Sequence, residues 1–171
     1  IMVASGRGRV TRLPSWRVGA VFALFVVILG IDGVNSYLHL FPNFEGGLYE
    51  PNNTLRLITG VFTGLALINL LYPIFNATVW RHQDTRRAVE DLKELAGYCL
   101  IATLVIAATL TRQPHILLFF GFISASGVLI VLTIINSVMI IAFMRRERSY
   151  HRWQELWLPL LAGLAVAIIL I

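Results

Sequence analysis

Apolar stretches far longer than any strand alternate along this chain with short clusters of charge. Five stand out, at residues 18–41, 54–79, 95–111, 116–143 and 157–171. A helix needs roughly 20 apolar residues to cross the hydrocarbon of a bilayer, and backbone in lipid must satisfy its own hydrogen bonds. The pattern therefore predicts an all-α fold: a polytopic transmembrane bundle of about five helices, forming a single domain over 1–171. The fifth stretch holds about 15 residues, short of a crossing. It stops abruptly at Ile171, and the chain starts on Ile1, so a fragment of a longer chain is expected.

The connections are read from turn and capping residues. Gly46, Gly47 and Pro51 mark turns between the first two spans, and 112–115 reads as a tight turn between the third and fourth. Pro73 is expected to kink the second span, which membrane helices tolerate. Residues 81–94 read as a short interfacial helix, with Asp84 as N-cap and Ala88, Leu92 and Leu95 on one face, or as an early start of the third span.

Composition removes the soluble alternative. Hydrophobic residues make up 57% and charged residues 13%, against roughly 25% charged in an ordinary soluble domain. The net charge of +5 would suit nucleic acid, but no basic stripe with interleaved aromatics exists, so no nucleic-acid partner is expected. Basic residues instead collect at alternate span ends. Arg7, Arg9, Arg12 and Arg17 precede the first span, and Arg145, Arg146, Arg148 and Arg152 follow the fourth. The loop between the first two spans holds Glu45 and Glu50 and no base. The positive-inside bias then puts the N-terminus in the cytoplasm, that loop outside, and the chain in the inner (cytoplasmic) membrane.

Chemistry-bearing motifs are scarce. Cys99 is the only cysteine, so no intrachain disulfide or thiolate zinc cluster can form, and a packing role is expected. No HExxH, P-loop or GxSxG pattern occurs, and no catalytic residue, metal site or cofactor is assigned. Lipid or pigment contacts stay open. His82, His115 and His151 are expected to be solvated or lipid-facing. Asn69, Asn76, Ser124, Ser126 and Asn136 are expected to bond across helices.

Ionisable residues inside a span carry a functional hypothesis by default. In the first span Asp32, Asn35, Ser36 and His39 fall on one helical face. In the second, Arg56, Thr59, Gly60, Thr63 and Gly64 do so, with Asn53 just before the span. Counted from the outer end, Asp32 lies roughly 14 Å deep and Arg56 roughly 6 Å, within reach of a long side chain. An Asp32–Arg56 pair would relieve two buried charges. Such a cluster either locks two helices together or forms an outward-opening site for a substrate, ion or proton. Gly60 and Gly64 form a GxxxG, expected to allow close helix approach.

These residues also carry a resemblance. The stretch Leu13-Pro14, then Asp32-Gly33-Val34-Asn35-Ser36, then Asn53, Arg56, Thr59 and Gly60 resembles a family of prokaryotic predicted membrane proteins known as domain of unknown function 2085. The likeness covers roughly the first 80 residues. Family members carry an upstream segment with a His-Gln pair and closely spaced cysteines, which this sequence lacks. The resemblance thus implies the C-terminal part of the family. A site completed by those cysteines is implied only if the segment exists in a longer chain.

Three functions compete. The first is an accessory or structural subunit of a larger membrane complex, such as a respiratory or photosynthetic one, with other membrane subunits and lipids as partners. The second is a small transporter using Asp32, His39 and Arg56. The third is a membrane enzyme with an outward-facing polar site. The accessory subunit is expected, because the third and fifth spans are too apolar to line an aqueous path.

Overall fold

The computed structural model describes residues 8–41 and 47–171. Its main elements are α1 (Trp16–Leu38), α2 (Asn53–Val79), α3 (Leu92–Leu110), α4 (Pro114–Phe143) and α5 (Trp157–Leu170), the last preceded by a 3-10 turn at Trp153–Leu156. Counting that turn with α5, five helices among the described residues are long and apolar enough to cross a membrane. Large apolar side chains are widely exposed on them, including Leu118, Phe122, Phe143 and Ile169. In water such a surface would mark an interface or an aggregation hazard. Here it is the lipid-facing surface, and the chain is an all-α membrane protein. Two short strands supplement the helices: β1 (Val10–Arg12) and β2 (Asp84–Arg87) pair in parallel.

The described residues divide into two compact units. One holds 15–41, 47–67 and 89–112, with α1, the first part of α2, and α3. The buried face of this part of α2 is Thr59, Thr63 and Ala66, spaced four and three residues apart. Thr63 Oγ1 donates to the Phe25 carbonyl of α1 at 3.0 Å, and the Phe25 and Phe62 rings meet at 5.1 Å. Hydroxyls suit this task in lipid, where water offers no competing partner. Gly60 and Gly64 do not: both are exposed, and a Cβ on either would meet nothing within 4 Å. The GxxxG is correctly spaced but turned one residue, about 100°, away from the packed face.

The other unit holds 8–14, 68–88 and 113–171. In it α4 packs on α5 around Ser137, whose Oγ lies 2.7 Å from the Thr133 carbonyl and 3.0 Å from that of Pro159. Gly163 makes this approach possible, since a Cβ there would run into Ser137 and the Thr133 carbonyl. The first half of α4 is almost wholly exposed, Ser124 and Ser126 included. Both α3 and α4 stop in a left-handed arginine, Arg112 (φ 57°) and Arg145 (φ 52°). After α4 the Arg145 N–H donates to Ala142 O and the Arg146 N–H to Ile141 O, a Schellman stop normally built on glycine. An L side chain there costs about 1 kcal/mol.

Residues 84–87 form a strand, not the interfacial helix expected over 81–94, and Asp91 rather than Asp84 precedes α3. The cause is a competing backbone partner. The Asp84 N–H donates to Arg9 O and the Ala88 N–H to Arg12 O, while Val10, Ala88 and Val89 become fully buried. Asp84 meanwhile spends its Oδ1 locally on the Arg86 N–H at 3.0 Å. The chain after α4 joins the same structure. Arg148 N–H donates to Thr78 O, Tyr150 N–H to Val79 O, and Arg81 N–H to Tyr150 O. The result is a folded cap over the ends of α2 and α4. Its core is Phe75, Val79, Trp80, Ile141, Tyr150 and Leu156. Asn76, fully buried, ties it down by donating to Val10 O and accepting from Trp80 Nε1, each at 2.9 Å.

Candidate functional site

The last turns of α1 present Asp32, Asn35 and His39 at spacings of three and four, on one side of the helix. Asp32 and Asn35 are each only 2% exposed. Such polar groups need partners, and the following loop supplies them. The Asn35 side chain copies a strand edge: its Oδ1 accepts from the Leu48 N–H at 2.8 Å, and its Nδ2 donates to Tyr49 O at 2.9 Å. Tyr49 Oη donates to Asp32 Oδ1 at 2.6 Å, the length of a charge-assisted bond. His39 Nδ1 sits 2.8 Å from the Asn35 carbonyl, which requires the proton on that nitrogen. Gly47 lies so close to the His39 ring that a Cβ there would collide with it. Loop residues 47–49 are thus latched onto α1.

The latch acts on Tyr49, whose phenol is pushed above its usual range. The hydrogen bond to Asp32 is the largest cause, followed by burial and the Asp32 charge.

Arg56 does not join this cluster. It is exposed on the first turn of α2, and no Asp32–Arg56 ion pair occurs among the described residues. Of the two partners open to Asp32, the carboxylate takes the Tyr49 hydroxyl and not the arginine. Asn53 is exposed, while its neighbour Asn52 caps α2 by accepting from the Thr54 N–H at 2.8 Å. Thr59 is buried and donates to Arg56 O at 3.3 Å. Ser36 Oγ is buried without a hydrogen-bond partner among the described residues. Glu45 lies outside the described residues.

Beside the latch runs a groove of about 390 Å³, lined by Val27, Gly30, Ile31, Val34, Asn35, Leu38 and Leu48. Its walls are apolar apart from Asn35, whose amide is spent on the loop, so hydrocarbon suits it better than a polar solute. Among the described residues no three His, Cys, Asp or Glu side chains group to hold a metal ion.

Other polar residues take different roles from those expected. Asn76 bonds to β1 and Trp80 rather than to another helix, and Asn136 Nδ2 is buried with no partner among the described residues. Tyr49, Ser137 and the cap-forming role of Asn76 escaped sequence reasoning. Only the lone polar positions within apolar runs could have hinted at the last two.

A family model described as a predicted membrane protein, DUF2085, matches residues 1–70. That span contains α1, the latch and most of α2. No curated protein and no solved structure matches the chain.

Proposed function

We propose that this membrane protein, whose first 70 residues match a family of unknown function, is an accessory structural subunit of a larger assembly in the cytoplasmic membrane. The observation that carries this reading is how three residues of the outer polar cluster are spent. Asp32, Asn35 and His39 are engaged with Tyr49, Leu48 and one another, and the adjoining groove is apolar. A transport path or an active site needs polar groups left over for a solute, whereas a latch uses them up. The bare first half of α4 supports the same reading. Gly121, Ser124 and Ala125, three and four residues apart, are exposed there, and small residues let another helix approach closely.

Extraction in a mild neutral detergent followed by native mass spectrometry tests the proposal. A stoichiometric assembly with other membrane proteins is the expected result. A lone monomer or homo-oligomer would overturn it and return the weight to a transporter or enzyme built around Asp32 and Arg56.

A further inference from the structure

We propose that the cap carries a binding site for a phosphate group, formed by Arg9, His82 and His151. The inference stands independently of the accessory reading. It begins with how Arg9 is held. Its guanidinium lies 4.5 Å over the Trp80 ring, and its Nη2 donates to the His151 carbonyl at 3.1 Å. Trp80 is itself fixed by Asn76, and β1 is fixed by Asn76 and by Tyr72 Oη, which donates to Gly8 O at 2.8 Å. The arginine is therefore immobilised through one donor and one ring face. A guanidinium has five N–H donors in a planar fork that matches phosphate oxygens, so most of its capacity is unclaimed among the described residues.

The cap also brings together two histidines 69 positions apart in sequence. His82 and His151 stand with ring centroids 5.6 Å apart, placed by the pairing of Trp80 with Tyr150. Arg81 and Arg152 adjoin them in sequence, and both are exposed. An open pocket of about 350 Å³ lies here, lined by Gly8, Arg9, His82, Gln83 and Asp84. The one carboxylate in that lining, Asp84, is neutralised by Arg86 at 2.7 Å. Glu155 is also near, its Oε2 accepting from the His151 N–H at 2.8 Å. Even so, the described part of this unit holds nine arginines against three acids. A guanidinium fork beside two imidazole rings offers several N–H donors, which selects an anion carrying several oxygens.

The bland explanation is the positive-inside bias alone. That bias asks only for charge in solvent. It does not call for an arginine clamped on a buried indole or for a histidine pair built from distant segments.

The ligand is either the headgroup of an anionic phospholipid or a soluble phosphate, and the test separates them. The full chain is placed in phosphatidylcholine nanodiscs, and the ring signals of its four histidines are followed by NMR, assigned through single His→Gln variants. Inorganic phosphate is titrated in one arm, and phosphatidylglycerol is added to the bilayer in the other. Shifts confined to His82 and His151 support the site, and the arm that produces them names the source. No shift in either arm, or equal shifts at His39 and His115, overturns it.

A second measurement guards against a general charge effect. H82Q/H151Q should lower retention of phosphatidylglycerol or phosphate by about tenfold or more, the scale of one lost charge-assisted bond. Arg146→Gln, at an exposed arginine of the same unit, should leave retention unchanged. Equal losses in both variants would also overturn the proposal.

Discussion

The latch on α1 and the cap over the ends of α2 and α4 are both polar structures in a very apolar protein, yet they treat their polar groups in opposite ways. In the latch, Asn35 spends both ends of its amide on the loop, and Asp32 takes the Tyr49 hydroxyl. In the cap, Asn76 and Trp80 form a frame that holds Arg9 while most of its donors stay uncommitted among the described residues. The unit containing the latch has four basic residues against five acids among its described residues, so it carries no positive excess. The cap's unit has nine against three. Counting polar residues in a membrane protein therefore says little about function. What matters is whether their hydrogen-bonding capacity is closed or left open.

Five substitutions would break or sharpen this contrast. The largest effect is expected from Asn76→Leu. It keeps the volume but leaves Val10 O and Trp80 Nε1 unpaired inside the cap, a loss of about 3 kcal/mol. Denaturant unfolding in detergent measures it, with hydrogen exchange rising at 9–12 and 84–88. Asn35→Leu should cost less, about 2 kcal/mol, because the freed loop groups can reach solvent: Leu48 is already 75% exposed.

Tyr49→Phe acts through ionisation. The raised phenol means that its contribution to stability is fully present below the ordinary tyrosine value of about 10 and is lost as pH rises through the higher folded value. Ultraviolet titration should show a late-titrating phase in the wild type that the variant loses. A wild-type profile without that late phase would contradict the Asp32–Tyr49 bond. The smallest effect is expected from Gly60→Ala and Gly64→Ala. With open space at both positions, each should be neutral or stabilise the helix by at most about 1 kcal/mol in thermal unfolding. A clear loss would restore the GxxxG as a contact face.

The five helices were legible because their apolar runs exceed anything a strand or loop requires. The face shared by Asp32, Asn35 and His39 was also legible, since helical spacing alone brings them together. Their partner was not. Tyr49 lies in a loop, where periodicity carries no information, and the search for a countercharge led to Arg56. The glycines misled for a related reason: spacing shows which residues share a face, not which face is buried, and Thr59–Thr63 lies one residue away. The cap was hidden more deeply. Its strands are three and four residues long, separated by two complete helices, and rich in arginines that the positive-inside bias already explained.

The most direct test of the latch is hydrogen exchange at the Leu48 amide, whose described acceptor is Asn35 Oδ1. In nanodiscs this amide should exchange about thirtyfold or more slowly than an unstructured peptide, the ratio set by about 2 kcal/mol, and Asn35→Leu should abolish the protection. Exchange at the free-peptide rate in the wild type would contradict the account. The polar groups of α1 would then be open to a solute, and the case for an accessory subunit would lose its main support.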